Sequence, residues 1–128
     1  MGLFTDFFTI LVIEDNAPQV KLINRILGKV DGVQTILCGD VFEGYCVLRT
    51  KEQVDMILLD VNLPYVNGNA LIRKVRAMPQ YQDLPILLST AEPSLAGEDA
   101  AGADGILTKP YDIKQLKIFI EAFRTKAD

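Results

Sequence analysis

Histidine is absent from all 128 residues, and with it the usual nitrogen ligand of a zinc site. Cysteine is scarce. Cys38 and Cys46 are the only two and have no CxxC spacing, so a structural zinc site has no donor set, and both thiols read as buried small hydrophobes. Basic charge is not in surplus: thirteen Lys and Arg against seventeen Asp and Glu leave a net charge of −4. Direct binding of nucleic acid, which needs a concentrated basic patch to neutralise phosphates, is therefore not expected. Long apolar runs are missing as well. The stretch FFTILVI (7–13) stops at the acids Glu14 and Asp15, too short for a membrane span and without the cleavage site of a signal peptide. A cytoplasmic protein with no membrane partner is the expectation.

What is present fits a single globular domain over residues 1–128, with 49% hydrophobic and 23% charged residues. Five short apolar, β-prone runs alternate with segments of helical length: 8–13, 33–37, 55–59, 85–89 and 105–108. Such alternation predicts a parallel sheet with helices on both faces. Several runs are almost continuously apolar, as in strands covered on both sides. Asn16 is placed to cap a first helix with Pro18 in its opening turn and Val20, Ile23, Ile26, Leu27 and Val30 on one face. A second helix is vaguer, over 41–51. A third follows Asn67 and Gly68 with Leu71, Ile72, Val75 and Met78 inward, leaving Arg73, Lys74 and Arg76 largely outward. Residues 94–101 form a weak helix interrupted by Gly97, and Asp112 caps a last one carrying Leu116, Phe119, Ile120 and Phe123.

In a doubly wound sheet, ligands sit beyond the carboxyl ends of the strands. Here those ends carry Glu14 and Asp15, then Asp60, then Ser89 and Thr90, then Thr108, Lys109 and Pro110. Carboxylates crowded together repel one another unless a cation joins them, and an all-oxygen donor set suits Mg²⁺. With that charge compensated by metal and by Lys109, Asp60 becomes a nucleophile toward phosphorus and Thr90 a hydrogen-bond donor to a transferred phosphoryl oxygen. Each residue taken singly also has a plain structural use: a helix N-terminal charge, a turn brace, a strand-end hydroxyl, a surface lysine. It is their joint placement that carries the reading.

The segments LVIEDN, ILLDVNLPYVNG, PILLSTAE and GADGILTKPYD, in this order and spacing, resemble the receiver domain of two-component response regulators over essentially the whole chain. The resemblance implies a flavodoxin-like doubly wound α/β fold, a five-stranded parallel sheet of order 2-1-3-4-5. It implies Asp60 as phosphoacceptor, Glu14 and Asp15 as the acidic pair, and the backbone carbonyl of Asn62 beside Asp15 and Asp60 around Mg²⁺. Thr90 and Lys109 would contact the phosphoryl group, and the Lys109–Pro110 bond would be cis. Pro64 and Gly68 match the loop after the acceptor.

The implied partners are a sensor histidine kinase or a histidine phosphotransfer protein, and an output protein on the face formed by residues 94–124. Lacking histidine, the chain cannot be the phosphohistidine donor of such a relay. The resemblance implies a signalling module that supports its own phosphorylation and dephosphorylation, not a turnover enzyme. One position departs from the family pattern: Ile106, aliphatic and without a phenolic hydroxyl, stands where many receivers have an aromatic switch residue. Two other classes share parts of the pattern. A flavodoxin-like electron carrier would need a first loop that welcomes a flavin phosphate, and the carboxylates of EDNAP oppose that. An aspartate-nucleophile phosphatase needs a second acid two residues beyond the nucleophile, where this chain has Asn62, which has no proton to supply.

Overall fold

The computed structural model describes residues 7–50, 53–60, 68–91, 102–110 and 112–127. Within them a five-stranded sheet runs in the order β2-β1-β3-β4-β5, every pairing parallel. The strands are β1 (Phe8–Ile13), β2 (Val33–Cys38), β3 (Met56–Asp60), β4 (Ile86–Thr90) and β5 (Gly105–Thr108). The helices are α1 (Ala17–Leu27), α2 (Val41–Thr50), α3 (Gly68–Arg76) and α4 (Ile113–Ala127), with a 3-10 turn at Pro79–Tyr81. The doubly wound fold and its strand order are those expected. The third and fourth strands end one residue later than predicted, which places Asp60 and Thr90 inside the sheet as its last residues.

Alternation along the strands divides the core into two layers. Ile10, Val12, Met56, Leu58, Leu87 and Leu107 face α1 and α4 through Ile23, Ile26, Leu27, Leu116 and Ile120. Leu11, Ile13, Ile57, Leu59, Ile86 and Leu88 face the other way, onto Leu48 of α2 and Leu71, Ile72 and Val75 of α3. Because both faces are covered, β1, β3 and β4 are buried at every position. This explains their almost continuously apolar sequences. Each fully buried Leu or Ile contributes about 1.5–3 kcal/mol of transfer free energy, which fixes the register of these strands firmly.

The caps behave as predicted. Asn16 Oδ1 accepts from Gln19 N at 3.0 Å, and Asp112 Oδ1 accepts from Lys114 N at 2.9 Å. The helix α1 stops at Leu27, so Val30 packs half-buried beyond it rather than on its face; Gly32, at φ +75°, then makes the turn into β2. Likewise Met78 lies past the end of α3 but still packs on the core.

Two expectations need correction. Cys38 is buried, but Cys46 is exposed. The helix α2 turns Gly44 and Leu48 inward, and a residue midway between them in sequence falls on the opposite side of a helix with 3.6 residues per turn. Arg76 is not simply outward. It donates to the carbonyls of Leu84 at 2.6 Å and Gly102 at 3.0 Å, and pairs with Asp104 at 3.3 Å. The predicted helix over 94–101 lies outside the described residues.

Candidate functional site

The register delivers the strand ends to one place. Ile13 pairs with Leu59, so Glu14, the next residue of β1's chain, stands level with Asp60; Asp60 pairs with Ser89, and Thr90 with Thr108. One carboxylate oxygen from each of Glu14, Asp15 and Asp60 lies within 4.8 Å of the others. Glu14 and Asp60 are buried, at 2% and 4% exposure, while Asp15 reaches solvent. Thr90 is fully buried beside them in the sheet.

Lys109 crosses to this cluster from the end of β5. Its Nζ lies 3.1 Å from Asp60 Oδ1 and 3.2 Å from Glu14 Oε1. The backbone of Lys109 is tied to β4 by donation of its N–H to Thr90 O at 2.8 Å, and the Lys109–Pro110 peptide is cis. Glu14 also accepts a long hydrogen bond, 3.4 Å, from Asn16 N at the cap of α1.

Electrostatics follow from this crowding. Burial pushes the Glu14 carboxyl up from 4.5 to about 7; a hydrogen bond with Asp60 and the Asp60 charge add to the rise, and Lys109 opposes it. One ammonium against a cluster of three carboxylates leaves the site short of positive charge. The donors are hard oxygens, partly exposed on the Asp15 side, so a small divalent cation that keeps some of its water fits the chemistry of the set.

The fold thus brings together Glu14, Asp15, Asp60, Thr90 and Lys109, and Asn62, Pro64 and Tyr111 lie outside the described residues. Ile106 is half-buried and packs on the α2–α3 side of the core. Sequence reasoning missed that Lys109 grips two carboxylates at once and that Arg76 clamps the turn at 102–104. An arginine at the end of an amphipathic helix, followed by an aspartate before a strand, is the faint signal that was available for the second.

The Chemotaxis protein CheY homolog of Campylobacter jejuni is 29% identical over 115 residues, covering 88% of each chain. The structure of the chemotaxis response regulator CheY4 of Vibrio cholerae superposes with a TM-score of 0.79 at 26% identity, over 91% of this chain and 98% of that one. The receiver domain of the sensor histidine kinase PA1611 of Pseudomonas aeruginosa PAO1 superposes with a TM-score of 0.75 at 27% identity, over 91% and 97%, and has a magnesium ion coordinated in its active site cleft. Among the described residues no helix is long and apolar enough to cross a membrane. The family model for the response regulator receiver domain matches residues 10–121, and the chain belongs to that family, a CheY-like receiver domain of two-component systems.

Proposed function

We propose that this chain accepts a phosphoryl group on Asp60 from the phosphohistidine of a sensor histidine kinase or a histidine phosphotransfer protein, and that the acyl phosphate changes the affinity of an output face for a partner. The observation that carries the reading is the grouping of the Glu14, Asp15 and Asp60 carboxylates against the Lys109 ammonium at the carboxyl ends of the strands. An Asp60 oxygen attacks phosphorus; the P–N bond breaks and its electron pair stays on the imidazole nitrogen. Lys109, already 3.1 Å from Asp60, offsets the negative charge that arrives with the phosphoryl group. Thr90 donates its hydroxyl to a phosphoryl oxygen.

Glu14, Asp15, Asp60 and the backbone carbonyl of Asn62 would hold Mg²⁺, which supplies charge compensation for an anion transferred to an already anionic site. The Pseudomonas relative supports this assignment through its own magnesium ion. The output face comprises residues 94–124, with Ile106 at its strand in place of an aromatic ring. The phosphorylated aspartate is a signalling state rather than a turnover intermediate, and the chain assists both its formation and its hydrolysis.

Intact mass after incubation with acetyl phosphate tests the chemistry. One phosphoryl group should appear in the presence of Mg²⁺, little without it, and none in Asp60→Asn, which keeps the size of the side chain but removes the nucleophilic oxygen. Undiminished uptake by Asp60→Asn would place the acceptor elsewhere.

A further inference from the structure

The helix α2 buries only Gly44 and Leu48 fully, and a Cβ on Gly44 would stand 2.5 Å from Ile13 Cδ1, so the helix lies close against β1 along a narrow stripe. Its opposite side is unusual for a solvent-facing helix. Phe42, Cys46 and Arg49 lie on that outer side, with Phe42 76% exposed, and Tyr45 sits at its flank, half-buried and packed against the core. Two cations bracket the Tyr45 ring: Arg49 at 5.9 Å on α2 and Lys74 at 5.2 Å from α3. Among the described residues neither Arg49 nor Lys74 forms an ion pair with a carboxylate, in a chain whose net charge is −4.

The described acids of this region are engaged at the other end of α2, where Asp40 accepts from Glu43 N and Glu43 from Gly39 N. The C-terminal half of α2 and the adjoining surface of α3 therefore present positive charge around an aromatic platform. Aromatic side chains and arginine, clustered with exposed apolar area, are the groups that dominate protein interfaces. So few cations suit an acidic polypeptide better than a nucleic acid backbone, which needs a longer basic track.

We infer that the α2–α3 face, apart from the cluster of Glu14, Asp60 and Lys109, docks an acidic segment of a partner protein, its carboxylates paired with Arg49 and Lys74 and an apolar side chain seated against Phe42. The Tyr45 ring holds the Lys74 ammonium and the Arg49 guanidinium in place for it.

The probe is a short synthetic amphipathic peptide of glutamate and leucine, titrated into the full chain and followed by amide chemical shifts and fluorescence anisotropy. Shifts confined to residues 41–50 and 70–77, with affinity falling as salt rises, are expected. Arg49→Glu with Lys74→Glu should weaken binding by about tenfold or more, Phe42→Ala by several-fold, and alkylation of Cys46 with a bulky maleimide should block it. These variants should still melt as the parent does and take up phosphoryl from acetyl phosphate to the same extent. No binding, shifts centred on 113–123, or affinity unchanged by charge reversal would overturn the inference. So would tighter binding of a single-stranded oligonucleotide to the same face, or salt-independent self-association of the chain through it.

Discussion

Lys109 and Asp60 are joined by a 3.1 Å ion pair although β4 runs between the strands that carry them. The lysine side chain therefore spans the end of β4, and it is only 12% exposed in doing so. Removing its charge with Lys109→Met leaves Glu14 and Asp60 facing each other in a buried setting. Loss of one partner from a buried pair costs about 3–5 kcal/mol, but Glu14 can take a proton and share it with Asp60, so a loss of about 1–3 kcal/mol is expected here. Urea unfolding in metal-free buffer measures it, and Mg²⁺ should recover most of the difference. Unchanged stability would mean that the ammonium is not what compensates these carboxylates.

The raised pKa of Glu14 sets a pH dependence. In the unfolded chain the carboxyl loses its proton near 4.5, whereas in the metal-free fold it keeps it to about 7. The fold binds the extra proton across this window, so the stabilisation is fully present below pH 4.5 and is lost as pH rises through 7, by about 3 kcal/mol. Glu14→Gln should flatten that slope in metal-free unfolding experiments. Mg²⁺ must displace the same proton, so its affinity should increase with pH over the same range, read by calorimetry. An equal slope in Glu14→Gln would assign the effect to another group.

Thr90 is fully buried at the end of β4, and the role proposed for its hydroxyl begins when a phosphoryl group arrives. Thr90→Val keeps the branched shape and deletes the hydroxyl. Phosphoryl uptake should persist while the response around Ile106 weakens, because a hydrogen bond to a charged group contributes about 1.5–3 kcal/mol, enough to shift a two-state population by tenfold or more. Amide shifts with and without beryllofluoride are the measurement. Identical changes around Ile106 in variant and parent would remove Thr90 from the coupling.

Arg76 ties α3 to the starts of β4 and β5 at three points: the Leu84 carbonyl, the Gly102 carbonyl and Asp104. Asp104 in turn accepts from Ile86 N at 2.8 Å. Arg76→Ala strips charge-assisted bonds from two backbone carbonyls and should destabilise the domain by about 1.5–3 kcal/mol in denaturant unfolding, with phosphoryl uptake retained. A change within a few tenths of a kcal/mol would show that water replaces the guanidinium without loss.

The fold was legible because both faces of the central strands are covered. Continuous runs such as ILLD and ILLST have few other uses in a chain of this length, and turn chemistry at Asn16 and Asp112 marked the helices between them. The acids of the site were legible for a related reason: a carboxylate at the end of a buried run is costly enough to draw notice. What could not be read was geometry that depends on distance between elements. Nothing local to Lys109 shows that it reaches both Glu14 and Asp60, and nothing local to Arg76 shows the carbonyls it caps. The exposure of Cys46 was misread from residue type alone, when the phase of Gly44 and Leu48 on α2 determined it. Gly44 itself gave no hint that its missing Cβ lets α2 approach Ile13.

Burial is not even across the sheet: β3 and β4 are buried throughout, while in β5 only Leu107 is buried and Thr108 is exposed. Amides deep in a sheet exchange with solvent only when the whole domain opens, whereas those of an edge strand exchange through small local openings at lower free energy. Glu14 and Asp60 thus hang from the fully buried centre of the sheet, where exchange is expected to be slowest, and Lys109 from its edge. The acids are mounted on the part of the sheet that is hardest to open and the lysine on the part that can yield, so any rearrangement that begins at the site has its softest exit toward β5.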